Sequence, residues 1–144
     1  MLKGHKKAVS YVRFADSSSI VSASTDCTLK EWTIPGHDGG SLLPSASGRL
    51  RRSFSGHLNE KNFVGLSLNG DLYACGSENN SVYVYHRDLV KPLAVYRFDS
   101  KCPLTGSGLE NETQQFVSSL CWKQDTNLMI AANSQGSVRI IELV

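Results

Sequence analysis

The sequence predicts an all-β chain built from repeated four-stranded blades, the architecture of a β-propeller. Three observations carry this. Gly4-His5, Asp26 and Trp32 stand at the spacing of one blade signature, and a weaker copy returns as Gly56-His57, Asn79 and Tyr85. Short runs rich in β-branched and aromatic residues alternate with Ser, Asp, Asn and Gly turns. No segment shows a 3.6-residue apolar period, so helices should be nearly absent.

In chain order, the first blade reads as strands Val9 to Phe14, Ile20 to Ser24 and Thr28 to Trp32, with an outer strand over Leu50 to Ser55. The second reads as Asn62 to Leu68, Leu72 to Ser77, Ser81 to His86 and an outer Leu93 to Asp99. Its first hairpin turns at Asn69-Gly70, a favoured two-residue hairpin signal. The third reads as Phe116 to Lys123, Leu128 to Asn133 and Ser137 to Leu143, turning at Gln135-Gly136, with no outer strand. Blade boundaries follow at about 2–55, 56–99 and 100–144. Two irregular stretches, 35–48 and 101–115, stretch the repeat and are expected as inserted surface loops.

A blade takes roughly 40–45 residues and a closed propeller typically ~4–8 blades. The 144 residues therefore hold about three blades. The chain is expected to be part of a longer ring or to assemble with other chains, and Met1-Leu2 reads as the tail of a preceding outer strand. The net charge of +2 gives no support for nucleic-acid binding. Cys27, Cys75, Cys102 and Cys121 form no C-x-x-C, and His5, His37, His57 and His86 miss metal-ligand spacings. Neither a metal nor a cofactor is expected. With no signal peptide and no run of about 18 apolar residues, the expectation is no membrane and a reducing, intracellular setting.

Ser22, His5 and Asp26 imitate a nucleophile, base and orienter. The structural account is stronger. In such blades the turn Asp accepts from the loop His, and a strand Ser and the Trp indole complete a buried hydrogen-bonded chain. No strained nucleophile elbow accompanies the set, so no catalysis is expected. The second blade supplies a partial set, His57, Asn79, Cys75 and Tyr85, and the third has Gln135 and Ile141 in the Asp and Trp positions. Glu31 alternates with Leu29 at a strand position that should face inward. The expectation is that register or exposure keeps this carboxylate harmless. The loops after each Gly-His place Lys6-Lys7 and Leu58 to Phe63 on one rim of neighbouring blades. Ammonium groups beside an aromatic can hold an acidic peptide with an apolar anchor. Spacing alone favours the plainer reading, a solvated lysine pair and a core phenylalanine.

Gly4 to Val12, Ser22 to Asp26, Gly56 to Leu66, Ala74 to Glu78, Val82 to His86 and Ala131 to Gly136 together carry a closer resemblance. The run Asn59-Glu60-Lys61-Asn62-Phe63-Val64-Gly65 is its most specific part. The chain resembles the C-terminal WD-repeat propeller of the constitutive-photomorphogenic E3 ubiquitin ligases and the suppressor-of-phytochrome-A proteins. The resemblance implies a fragment of a seven-bladed propeller, nuclear and cytoplasmic, that binds acidic Val-Pro motifs of transcription factors and photoreceptors in light signalling. It implies that Lys7 meets the peptide's acidic residues and that Phe63 lines the Val-Pro pocket, whose other members belong to upstream blades. The implied partners are such targets, sister ligase or suppressor-type subunits and a cullin-ligase adaptor. Trp32-Thr33 stands where the repeat has Trp-Asp, and no Trp-Asp-x-Arg adaptor pattern occurs. The 35–48 insertion is more similar to the suppressor-type partners.

Overall fold

A computed structural model describes residues 1–34, 48–98 and 115–144. They form strands and, among the described residues, no helix. The first antiparallel sheet runs in the order β1 (Val9–Phe14), β2 (Ser19–Ser24), β3 (Thr28–Thr33) and β4 (Leu50–Ser55). The second runs β5 (Leu66–Asn69), β6 (Leu72–Ser77), β7 (Ser81–His86) and β8 (Ala94–Arg97). The third is β9 (Val117–Trp122), β10 (Leu128–Asn133) and β11 (Val138–Glu142), with β10 central. The expected insertions lie outside the described residues except for Gly48 and Gln115.

Strand periodicity explains how the sheets stack. Side chains alternate between faces along a strand. In the second sheet Tyr73, Cys75, Tyr83 and Tyr85 pack with Val21, Leu29 and Phe54 of the first sheet. Their neighbours Ala74, Val82 and Val84 pack with Val117, Leu120, Trp122 and Met129 of the third. The second sheet is thus buried on both faces, which is why β7 is buried through five consecutive positions. Ring contacts lock the first interface: Phe54 meets Tyr73 edge-on at 5.5 Å and Tyr85 at 5.7 Å. The two outer faces of the arc carry uncovered apolar side chains, Phe14 (77% exposed) on one and Ile140 (78%) on the other.

Two local expectations are corrected. The strand expected from Asn62 begins only at Leu66, because residues 56–65 are drawn into a structured loop described below. The hairpin expected at Asn69-Gly70 turns one residue later. Asn69 pairs with Leu72, so Gly70-Asp71 is the loop, and Gly70 supplies the left-handed φ of 56°.

Candidate functional site

Topology puts the segments before β1 and β5 at the same end of their sheets. Val9 pairs with Ser24, so residues 4–8 run beside the β2–β3 turn, where the Thr25 amide donates to the Ala8 carbonyl at 3.0 Å. In the second sheet the Glu78 amide donates to the Leu58 carbonyl at 2.8 Å, fixing the equivalent loop beside the β6–β7 turn. The second loop also touches the β2–β3 turn. The Asn59 amide donates to Cys27 Sγ at 3.3 Å, and the thiol lies 3.3 Å from the Asn59 carbonyl.

The first loop is held by a connected polar network. His5 Nδ1 lies 3.0 Å from Asp26 Oδ2 and His5 Nε2 lies 2.7 Å from Ser22 Oγ. The Trp32 indole N–H donates to the same Ser22 oxygen at 2.8 Å. Asp26 also accepts from the Lys6 amide at 2.8 Å and the Thr28 hydroxyl at 2.6 Å. Burial alone would raise its carboxyl. The Thr28 hydroxyl, the Lys6 amide and His5 outweigh that and hold it far below the ordinary carboxylate range. Every polar atom of the set thus has a structural partner, which leaves Ser22 Oγ engaged rather than poised to attack.

The second sheet departs from the partial set expected of it. His57 Nδ1 meets the Tyr85 hydroxyl at 2.8 Å, and its Nε2 is buried without a partner among the described residues. Asn79 turns away and donates to the Tyr83 hydroxyl at 3.0 Å, so it is no member of the His57 pair. Burial pushes the His57 imidazole down to about 4. In the third sheet Gln135 is exposed and Ile141 packs against the second core cluster.

The acid that shapes the second loop is Glu78, which the sequence reading missed. Its Oε1 accepts from the Lys61 and Asn62 amides, each at 2.7 Å, and from Asn62 Nδ2 at 3.1 Å. Burial opposes this charge, but those amides outweigh it and hold the carboxyl below its ordinary value. The cradled loop presents Phe63, which is 69% exposed. That corrects the alternative of a core phenylalanine. Tyr11 on β1 meets the Phe63 ring edge-on at 6.1 Å, making an aromatic pair across the two sheets. Tyr11 was also missed, because nothing in its spacing marks it from a packing residue of β1. Lys6 and Lys7 are exposed at the same end and form no ion pair among the described residues.

Glu31 is corrected as well. Register turns it inward and it is fully buried, not exposed. It escapes isolation through Arg87, whose Nε and Nη2 donate to its Oε1 at 3.0 and 2.7 Å.

Comparison with known proteins agrees with this geometry. The model of the WD domain, G-beta repeat, matches residues 1–33, and that of the anaphase-promoting complex subunit 4 WD40 domain matches residues 64–144. The chain belongs to the WD-repeat family. Protein SUPPRESSOR OF PHYA-105 1 of Arabidopsis thaliana is 46% identical over 143 residues, covering 99% of this WD-repeat chain and 14% of that protein. The E3 ubiquitin-protein ligase COP1 of Arabidopsis thaliana is 44% identical, covering 99% of this chain and 19% of that one. The Arabidopsis thaliana WD repeat-containing protein RUP2 is 42% identical, with 96% and 35% covered. The chain therefore spans about a seventh to a third of the length of these relatives. Among solved structures, the RRP9 WD40 repeats superpose with a TM-score of 0.71 at 15% identity, covering 99% of this chain and 37% of that one. That likeness shows the propeller fold. The WD-repeat region is a protein-interaction module of the kind found in COP1 and its SPA relatives.

Proposed function

We propose that the rim over the first two sheets is part of a recognition surface for acidic peptides carrying a Val-Pro pair, within a ubiquitin-ligase complex of light signalling. One observation carries the proposal: Phe63 stands exposed and edge-on to Tyr11, at the end of the sheets where Lys6 and Lys7 have no ion pair among the described residues. A rigid aromatic pair can anchor an apolar dipeptide at small entropy cost. The ammonium groups attract the flanking carboxylates and set their register. Kinship with COP1 and the SPA proteins supports the same class of role.

The proposed partners are protein targets with such motifs and sister ligase or suppressor-type subunits. A cullin-ligase adaptor would be reached outside these sheets, since no Trp-Asp-x-Arg pattern occurs in the chain. The proposed compartments are nucleus and cytoplasm, and the module contributes binding, not catalysis.

Calorimetric titration of an acidic Val-Pro peptide into a complete propeller containing these sheets tests the site. Lys7→Glu, Phe63→Ala and Tyr11→Ala should each weaken binding about tenfold, which is ~1.4 kcal/mol. Unchanged affinity in all three removes the rim from the site. Partner capture without any peptide binding by the unmodified complete propeller favours a plain scaffold.

A further inference from the structure

Arg87 joins the first two sheets at the end opposite the rim. Besides its two bonds to Glu31, its Nη2 donates to Asp16 Oδ2 at 2.7 Å and to Ser19 Oγ at 2.9 Å. Its Nη1 donates to Asp71 Oδ1 at 3.3 Å. Glu31, Ser19 and Asp16 belong to β3, β2 and the β1–β2 turn of the first sheet. Arg87 and Asp71 belong to the second, just after β7 and in the β5–β6 turn. One guanidinium therefore binds three elements of the neighbouring sheet and one of its own. The first sheet's own cation near Glu31, Arg51 Nη1, lies farther off at 3.5 Å and is half exposed.

Elsewhere, among the described residues, this interface holds few hydrogen bonds. Its apolar core adds the Phe54 ring contacts to Tyr73 and Tyr85 but no donor–acceptor pair that fixes angle and distance together. At the rim the sheets meet through one ring edge and a thiol with the Asn59 backbone. A planar fork with fixed donor directions specifies angle and distance together, which a lysine ammonium cannot do. Replacing a buried ion pair by well-packed apolar side chains is often neutral or stabilising, so this cluster is not needed for net stability.

We propose that Arg87 is a positioning residue: its bonds to Glu31, Asp16 and Ser19 set the pitch between the first two sheets, and so the spacing of Tyr11, Phe63 and Lys7 on which acidic-peptide affinity depends. This rests on the recognition role proposed above for that rim.

The test uses a complete propeller containing these sheets, with an apolar replacement, Glu31→Leu with Arg87→Met, chosen to keep the interface packed. Peptide affinity is read by titration, folding by thermal melting, and the rim by the NOE between the Tyr11 and Phe63 rings. The pair should melt within a few degrees of the parent, lose the NOE and bind about tenfold more weakly. In a Phe63→Ala background the same pair should change affinity less than twofold. Arg87→Lys, which keeps the charge without the fork, serves if the pair does not fold, and should also lose the NOE and weaken binding. An intact NOE with parental affinity in either folded variant overturns the proposal. If the unmodified complete propeller binds no peptide, the recognition role falls, and the NOE alone still decides whether Arg87 sets the rim.

Discussion

In the first sheet the acid at the β2–β3 turn is Asp26, and it holds both His5 and the Lys6 amide. In the second sheet the acid stands one residue earlier in the equivalent turn, at Glu78, and it holds the Lys61 and Asn62 amides instead. Both carboxylates cradle the rim loop that precedes their sheet. The shift by one residue releases the histidine: His57 keeps only Tyr85, and its Nε2 is left without a partner among the described residues. One sheet thus uses its acid to close a buried network, and the other uses it to display Phe63. A repeat can keep its backbone topology while its polar chemistry moves from stability toward presentation.

The same difference appears in two other matched positions. Ala23 of β2 corresponds to Gly76 of β6, where a Cβ would stand 2.2 Å from the Val64 carbonyl and 2.7 Å from that of Val117. Cys27 and Asn80 both adopt left-handed φ, 63° and 56°, at the same turn position. Asparagine accepts that conformation readily, whereas cysteine there is unusual and is fixed by the Asn59 backbone.

Four perturbations sharpen or break this comparison. The largest effect is expected from Gly76→Ala, harmless by analogy with Ala23 but set against two backbone carbonyls. It should cost about 3 kcal/mol or more, read as a lowered denaturant midpoint. A parental midpoint would show that the sheets part more easily than their packing implies.

Acid comes next. The folded pKa of His57, about 4, lies below its ordinary 6.5, so the unfolded chain binds the extra proton in between. Its contribution is complete above 6.5 and is lost as pH falls toward 4, up to about 3 kcal/mol. Asp26 and Glu78 are depressed carboxylates, so their contributions fade only as pH drops through the ordinary carboxylate range and below. His57→Gln should therefore flatten the stability profile between pH 6.5 and 4. An unaltered slope there would assign the acid response to other groups.

Ser22→Ala removes the shared partner of His5 and Trp32 and should cost about 2 kcal/mol in urea unfolding. The smallest expected effect has the opposite sign. Cys75 holds the β6 position that Ser22 holds in β2, so Cys75→Ser offers His57 Nε2 the hydroxyl that it lacks. A gain of about 1 kcal/mol is expected. A loss would mean that Tyr85 has tilted the imidazole away from β6.

Much of the fold was legible because its signals are local. Strands and turns follow from alternation, β-branched residues and Gly or Asn at fixed offsets, all within a few residues of one another. The late start of β5 was not legible, since Glu78 that reshapes the loop lies 16 residues beyond Asn62. Of the candidate site, Lys7 and Phe63 came from resemblance, and spacing could not tell an exposed ring from a core one. Tyr11 and Glu78 gave no local signal. Glu31 did give one, a carboxylate at an inward strand position. Its partner Arg87 lies 56 residues away in another sheet, which periodicity cannot reach.

The sequence by itself determined the strands and their order within each sheet, because these rest on short-range spacing, and the His5–Ser22–Asp26–Trp32 network, because its residues stand at the blade signature and burial obliges polar groups to pair. Only the tertiary structure decided which acid holds which loop, that Phe63 stands outward against Tyr11, and that Glu31 is sealed by Arg87. Those outcomes depend on how two separately specified sheets meet, and side chains far apart in the chain become neighbours only once the sheets have stacked.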